Sequence, residues 1–210
     1  MAVASEPYIF WKGEKAHEII DKISIPKELG RLEPSSSIYN GPSGITLDEQ
    51  FLKPLGVSRQ ESWLCDLLPY SRINSNQRKA LVKHYEPEVS FYNLPRCTIP
   101  DFSEFELKNQ RNRHIEILKE IRKSQCDTIM LLGDLPIKYW LKKYYFSSFK
   151  KLSDFGDTSE SYGKLHSIKI EGKNYNVLPL VHPRQAGNLG KSSKKWNELH
   201  KQWVLKQSHK

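Results

Sequence analysis

A histidine–proline pair near the end of the chain is the strongest candidate for chemistry. His182 and Pro183 follow an apolar run that ends at Val181, and Arg184 and Gln185 come directly after them. Proline fixes its own φ angle and favours an extended backbone in the residue before it, so the imidazole projects in a defined direction. Such a ring can donate a hydrogen bond to a leaving-group oxygen, and the polar, basic residues behind it can contact a phosphate. The pattern indicates chemistry on a nucleotide.

A glycine-bracketed loop in the first quarter of the chain is the second candidate. Tyr39 can stack on a base, and Asn40 can orient a water molecule. Gly41 and Gly44 allow a ligand to approach the backbone closely. The same composition is typical of a surface turn before a helix, so this alternative stays open. Glu33 is a second candidate for positioning the water, as a general base.

Asp66 is the third candidate, because it stands inside an apolar segment next to Cys65. A carboxylate only accepts hydrogen bonds, which suits the exocyclic amine of a cytosine-like base. A structural ion pair, or the exposed face of an alternating strand, explains the same residue equally well.

The charge of the chain favours a polyanionic partner. The net charge is +9, and the basic residues concentrate after residue 190, where Glu198 is the single acidic residue. Lysine and arginine side chains that neutralise phosphates release counterions, which drives binding to nucleic acid. Double- or single-stranded DNA is therefore the expected partner.

Other classes of protein are disfavoured by what the sequence lacks. No apolar run approaches the roughly 20 residues of a membrane helix, and the first residues do not resemble a secretory signal, so we expect a cytoplasmic protein. Cys65, Cys97 and Cys126 are too widely spaced for a disulfide framework or a four-thiolate metal site. We expect no metal and no other cofactor.

Alternating strand and helix patterns predict a single α/β domain. We expect three α/β/α layers around a central, mostly parallel four-stranded sheet, with an N-terminal extension at 1–25 and a basic C-terminal helix at 190–210. The predicted strands are 62–68, 128–132, 165–170 and 174–181, and the last two are expected to form a hairpin through Gly172. The predicted helices are 16–23, 46–55, 77–85, 104–124, 136–144 and 192–205, the last with Trp196, His200 and Trp203 packed in the core. Ligands of such sheets bind beyond the carboxyl ends of the strands, where His182 and Asp66 would lie.

Four sequence blocks, taken in order, resemble the uracil-DNA glycosylase superfamily. Residues 39–44 are similar to its aromatic-x-Gly-x-Ala/Ser-Gly block, and 63–68 occupy the strand that presents a base-reading asparagine. Residues 129–133 are similar to its central strand, and 181–183 to the His-Pro motif that precedes its DNA-intercalating loop. The cysteines of the iron–sulfur branch are missing, so the resemblance is to a divergent bacterial or phage-defence form without that cluster.

The resemblance implies a monofunctional DNA glycosylase that flips a pyrimidine out of DNA and hydrolyses its N-glycosidic bond. His182 would hydrogen-bond the departing base, Asn40 or Glu33 would position the attacking water, and Tyr39 would stack on the base. Further contacts with the base are implied for Asp66, Cys65, Gly41 and Ser36. Contacts with DNA are implied for Arg184, Gln185, Leu189, Lys191, Ser192 and Lys194.

The expected substrate is a modified cytosine, such as the glucosylated hydroxymethylcytosine of some phage genomes. Asp66 stands in place of the base-reading asparagine, and the small serines at 35–37 would leave room for a substituent on the ring. Such an enzyme would act in antiviral defence. The alternatives are a uracil-DNA glycosylase of base-excision repair, or a non-catalytic DNA-binding module on the same fold. In each case we expect a monomer.

Overall fold

The computed structural model describes residues 7–34, 40–109, 111–145, 149–188 and 193–208, which form a mixed α/β structure. Its strands are β1 Thr128–Leu132, β2 His166–Ile170 and β3 Lys173–Leu180. Its α-helical segments are α1 Ala16–Ile20, α2 Pro42–Leu47, α3 Ser75–His84, α4 Glu86–Phe91, α5 Glu104–Asn109, α6 Arg111–Ser124, α7 Asp134–Pro136, α8 Lys142–Tyr144, α9 Pro183–Ala186 and α10 Ser193–Gln207. Short π-helical turns continue two of them, Asp48–Leu52 after α2 and Ile137–Leu141 after α7. Short 3-10 turns lie at Lys27–Leu29, Lys53–Leu55 and Leu152–Asp154.

The sheet has the strand order β1-β3-β2. β1 and β3 run parallel, with Leu132 opposite Leu180, so both strands end at the same edge. β2 and β3 form the predicted antiparallel hairpin, which turns through Gly172 at a φ of +87°. Because β3 is central, its second half is buried continuously from Val177 onwards, as is typical of a strand covered on both faces.

The core packs helices against this sheet. α6 contributes Ile117, Leu118 and Ile121, and α10 contributes Trp203. The π-helical turn after α2 contributes Phe51, which has no exposed surface.

The predictions of a mixed α/β class, of strand β1 and of the β2–β3 hairpin are confirmed. No helix of the described residues is long and apolar enough to cross a membrane.

The prediction of four mostly parallel strands is wrong for the described residues, because 62–68 is not a strand. Side chains take up hydrogen bonds that a sheet ladder would otherwise make. The Asp66 carboxylate accepts the N–H of Leu68 at 3.2 Å, and the Arg113 guanidinium donates to the Asp66 carbonyl at 2.6 and 2.9 Å. Trp63 Nε1 donates to Glu120 at 3.1 Å, so the segment lies along α6. The described sheet therefore has three strands and one parallel pair.

Candidate functional site

The carboxyl ends of β1 and β3 bring Gly133 and His182 together. The N–H of Gly133 donates to the Leu180 carbonyl at 2.8 Å, which extends the parallel ladder by one bond. Gly133 has a φ of +86°, and a Cβ atom there would lie 3.2 Å from Cβ of His182. The absence of a side chain at Gly133 therefore lets the chain after β1 pass close to the histidine.

The hydrogen bonds of His182 fix which ring nitrogen carries the proton. His182 is the N-cap of α9, and its Nδ1 accepts the N–H of Arg184 at 3.1 Å. Burial, with a contribution from Arg184, lowers the pKa of His182 to about 4. The imidazole is therefore neutral at pH 7, and because Nδ1 accepts, its single proton is on Nε2. The site thus offers a neutral N–H donor at the carboxyl edge of the sheet.

The chain's own N-terminal segment occupies the space that the glycines near Asn40 leave open. Gly41 has a φ of +70°, and a Cβ atom there would lie 2.4 Å from the carbonyl carbon of Lys12. A Cβ atom at Gly44 would lie 2.2 Å from the Phe10 carbonyl oxygen. The prediction that Gly41 allows a ligand to approach is therefore wrong on this side of the loop, because residues 10–13 fill the space. Asn40 Nδ2 donates to the carbonyl of Gly13 at 3.3 Å in the same contact.

The structure connects the Asn40 loop with His182 through Phe10 and through helix packing. The Phe10 ring lies 5.9 Å from the His182 ring, measured between centroids. The guanidinium of Arg59 donates to the carbonyls of Phe10 at 2.8 Å and of Gly44 at 3.0 Å. In addition, α2, which follows Asn40, packs against α9, which follows His182. The two segments proposed to form one site are therefore neighbours in the fold.

A surface depression of about 460 Å³ lies beside Asn40. Gly13, His17 and Pro34 are among its lining residues, and His182 is not. Glu33, the second candidate for positioning water, precedes Pro34 and is exposed. The depression therefore belongs to the Asn40 side of the candidate site.

No protein-family model, curated protein or solved structure matches this chain. The resemblance to the uracil-DNA glycosylase superfamily rests on the sequence blocks alone.

Asp66 and Cys65, both predicted to read the base, belong to the segment 62–68 that lies along α6. Burial raises the pKa of the Cys65 thiol to about 11, so it is protonated at neutral pH. Desolvation of its carboxyl group raises the pKa of Asp66, although the residue as a whole is exposed. The observed bonds of Asp66 run to Leu68 and Arg113. They agree with a structural role for this residue at the surface of α6.

The predicted DNA-contacting loop after His182 begins as a helix. Arg184 and Gln185 belong to α9, which Pro183 starts and a buried Asn197 supports by donating its amide N–H to the Ala186 carbonyl. Arg184 and Lys194 are exposed and Gln185 is half-buried. The predicted site residues Ser36, Tyr39, Leu189, Lys191 and Ser192 lie outside the described residues, as do the serines at 35–37.

The N-terminal aromatic residues are part of the candidate site, which the sequence interpretation missed. Phe10 contacts His182, and Trp11 is buried at 9 % exposure, with its indole N–H donating to the Glu14 carbonyl at 2.9 Å. The signal was the run of large apolar side chains at 8–11, which an unpacked extension would not need. In the described part of the chain, no group of three or more His, Cys, Asp or Glu side chains is placed to hold a metal ion.

Replacing Gly44 with alanine should release the N-terminal segment from α2. The added methyl would overlap the carbonyl oxygens of Phe10 and Trp11, at 2.2 and 2.3 Å, and backbone atoms cannot turn aside as a side chain can. We expect the free energy of unfolding in urea to fall by about 1–3 kcal/mol, with faster amide exchange in residues 8–14. The control is Ser43→Ala in the same helix, expected within about 0.5 kcal/mol of the wild type. Unchanged amide exchange in Gly44→Ala would contradict close packing of residues 10 and 11 against Gly44.

Proposed function

We propose that this protein is a DNA glycosylase that extrudes a pyrimidine and hydrolyses its N-glycosidic bond, leaving an abasic site. The observation that carries the proposal is His182, a neutral imidazole after the carboxyl end of β3 whose Nδ1 accepts a backbone N–H, so that its single proton is on Nε2. Extruding the base costs a few kcal/mol, which contacts with the flipped base must offset.

The proposed reaction needs only water and two positioned side chains. The water oxygen attacks C1′ of the sugar, the C1′–N1 bond breaks, and its electron pair leaves with the base. Nε2–H of His182 donates to the O2 atom of the base, where negative charge develops. Asn40 positions the water through its side-chain amide. The amide nitrogen donates a hydrogen bond to the Gly13 carbonyl, so the amide oxygen Oδ1 accepts a hydrogen bond from the water. The water's proton passes to solvent.

The charge of the protein supports a DNA partner. The net charge is +9, and α9 and α10 place Arg184 and Lys194 at the surface close to His182 in the sequence. Phosphate contacts of this kind position the duplex without reading its sequence. Reading the base is assigned to other residues, with Asp66 as the candidate.

The proposed substrate class is a modified cytosine. The chemistry of Asp66 supports it, because a carboxylate accepts from the exocyclic amine of cytosine, whereas uracil presents a carbonyl at that position.

Incubating the protein with genomic DNAs that carry different base modifications should release a free modified cytosine. The released bases are measured by mass spectrometry, and abasic sites by strand breakage in alkali. Asp66→Asn should lower release of the cytosine derivative relative to uracil by about 5- to 150-fold, because an amide also donates to uracil. Asp21→Asn, at an exposed aspartate after α1, is the matched control.

Each other outcome selects a different function. Release of uracil in excess over modified cytosine would replace the proposed substrate with that of base-excision repair. DNA binding without any alkali-sensitive site would reject the glycosylase and leave a DNA-binding module.

A further inference from the structure

A chain of buried hydrogen bonds begins at the residue before His182. The N–H of Val181 donates to Tyr162 Oη at 3.0 Å, and Oη lies 2.8 Å from His200 Nδ1. On the other side of its ring, His200 Nε2 lies 2.9 Å from the carbonyl oxygen of Gln50. Val181 and His200 have no exposed surface and Tyr162 is 5 % exposed. We call these four residues the polar relay.

The direction of every bond in the polar relay follows from its ends. The Gln50 carbonyl can only accept, so His200 Nε2 carries the proton and Nδ1 of the neutral ring accepts. Tyr162 therefore donates its hydroxyl hydrogen to Nδ1 and accepts the Val181 N–H with a lone pair of Oη. Burial lowers the pKa of His200 to about 4 and raises the pKa of Tyr162, so both groups are neutral at pH 7. All the groups that form the relay are satisfied in this arrangement.

The two ends of the polar relay belong to the two halves of the candidate site. Val181 follows the last residue of β3 and leads directly into His182. Gln50 is in the π-helical turn that continues the helix after Asn40. An α-helical carbonyl at Gln50 would accept from the residue four positions on, which is Pro54 and has no N–H. His200 Nε2 supplies the donor that Pro54 lacks, and this bond joins α10 to the turn that contains Gln50.

The ring of His200 is also held from both faces. It stacks on Phe51 at 4.1 Å between centroids and lies 5.2 Å from the Trp203 ring. Packing thus fixes the plane of the ring, and the hydrogen bonds fix its rotation. A ring restrained in this way can set the relative position of the two backbones that it joins.

We infer that Tyr162 and His200 are positioning residues: through the Val181 N–H and the Gln50 carbonyl, they hold the segment of His182 in register with the helix that follows Asn40. They touch no substrate. The effect on catalysis rests on the proposed function, whereas the effect on the position of His182 does not.

The test compares Tyr162→Phe with Tyr175→Phe, a buried tyrosine of β3 outside the polar relay. Loss of the hydroxyl removes the acceptor of the Val181 N–H, so amide exchange at Val181 should speed up about tenfold. The ¹⁵N resonances of the His182 ring should shift in the same variant, and kcat for base release should fall about 10- to 100-fold with KM for DNA little changed. Tyr175→Phe should change none of these. Wild-type exchange at Val181 in Tyr162→Phe would overturn the inference.

A pair of variants at His200 separates positioning from packing. A glutamine amide can make both hydrogen bonds of the imidazole, because its oxygen can accept from Tyr162 and its nitrogen can donate to the Gln50 carbonyl. Amide exchange at Val181 should therefore stay slow in His200→Gln and become faster in His200→Leu, which can make neither bond. Equal exchange in both folded variants would overturn the inference. If the wild type released no base, the proposed function would fail, and exchange at Val181 would still decide the positioning.

Discussion

Replacing His182 with alanine should reduce base release by about 10²- to 10⁴-fold while the protein stays folded. The reason is the tautomer: Nδ1 is engaged by the Arg184 N–H, so the only donor of the neutral ring is Nε2–H. Removing it takes away the hydrogen bond that stabilises the departing base. The assay is single-turnover release from a defined duplex, with circular dichroism to verify folding.

Two further substitutions at His182 separate its capping role from its donor role. Asp and Asn are both good N-caps and can each accept the Arg184 N–H in place of Nδ1. His182→Asn keeps an N–H donor and should retain part of the activity, whereas His182→Asp keeps only acceptors and should be as inactive as His182→Ala. His84→Ala, at an exposed histidine of α3, is the matched control. Full activity in His182→Ala would show that another group stabilises the leaving base.

The elements that the sequence predicted correctly are those in which local pattern and burial agree. Ile129 to Leu132 form a short apolar run of strand length, and burial of Ile129 and Leu131 agrees with that pattern. Gly172, with its positive φ, marks the turn of the hairpin between β2 and β3. The last helix was also predicted correctly, with His200 and Trp203 in the core. The hydrogen bonds of His200 could not be predicted, because its partners Tyr162 and Gln50 lie 38 and 150 positions away in the sequence.

The segment around Asp66 was misinterpreted for a physical reason. A run such as Ser-Trp-Leu-Cys-Asp-Leu-Leu has the burial pattern of a strand, and Leu64, Cys65 and Leu67 do pack against the core. What makes a strand is a partner for its backbone, and here Arg113 takes that place. Side-chain hydrogen bonds from a distant helix leave no trace in local periodicity, so no pattern in residues 62–68 could have revealed them.

The helix after His182 is a contrasting case, because its signal was present in the sequence. Proline at the first helical position and a polar residue before it are typical of a helix start, and Pro183 and His182 occupy these places. The polar and basic chemistry of Arg184 and Gln185 suggests a DNA-contacting loop, whereas their position directly after Pro183 predicts a helix. The correction matters for the site, because the helix N-terminus is what orients Nδ1 of His182.

Acidification should destabilise the protein strongly between pH 6.5 and about 4.5. Burial is the largest cause that lowers the pKa values of His114, His182 and His200, each to about 4 from an ordinary value of 6.5. Below pH 6.5 the unfolded chain binds protons that the folded protein cannot, so the free energy of unfolding falls as pH falls. Above pH 6.5 this contribution to stability is fully present. Across this pH range, each deeply buried histidine should lower the free energy of unfolding by about 3 kcal/mol, and the half-buried His182 should lower it by less.

Urea unfolding at pH 7.0, 6.0, 5.0 and 4.5 and constant ionic strength measures this effect. His114 is 4 % exposed, and its Nδ1 has no hydrogen-bond partner among the described residues, so His114→Leu removes one proton-binding group at little structural cost. The slope of unfolding free energy against pH should then decrease by up to about 1.4 kcal/mol per pH unit. His84→Gln, at an exposed position, should follow the wild-type profile. A wild-type free energy that stays constant down to pH 4.5 would mean that these histidines are charged in the folded protein, and His182 would then not be the neutral donor that the proposed reaction requires.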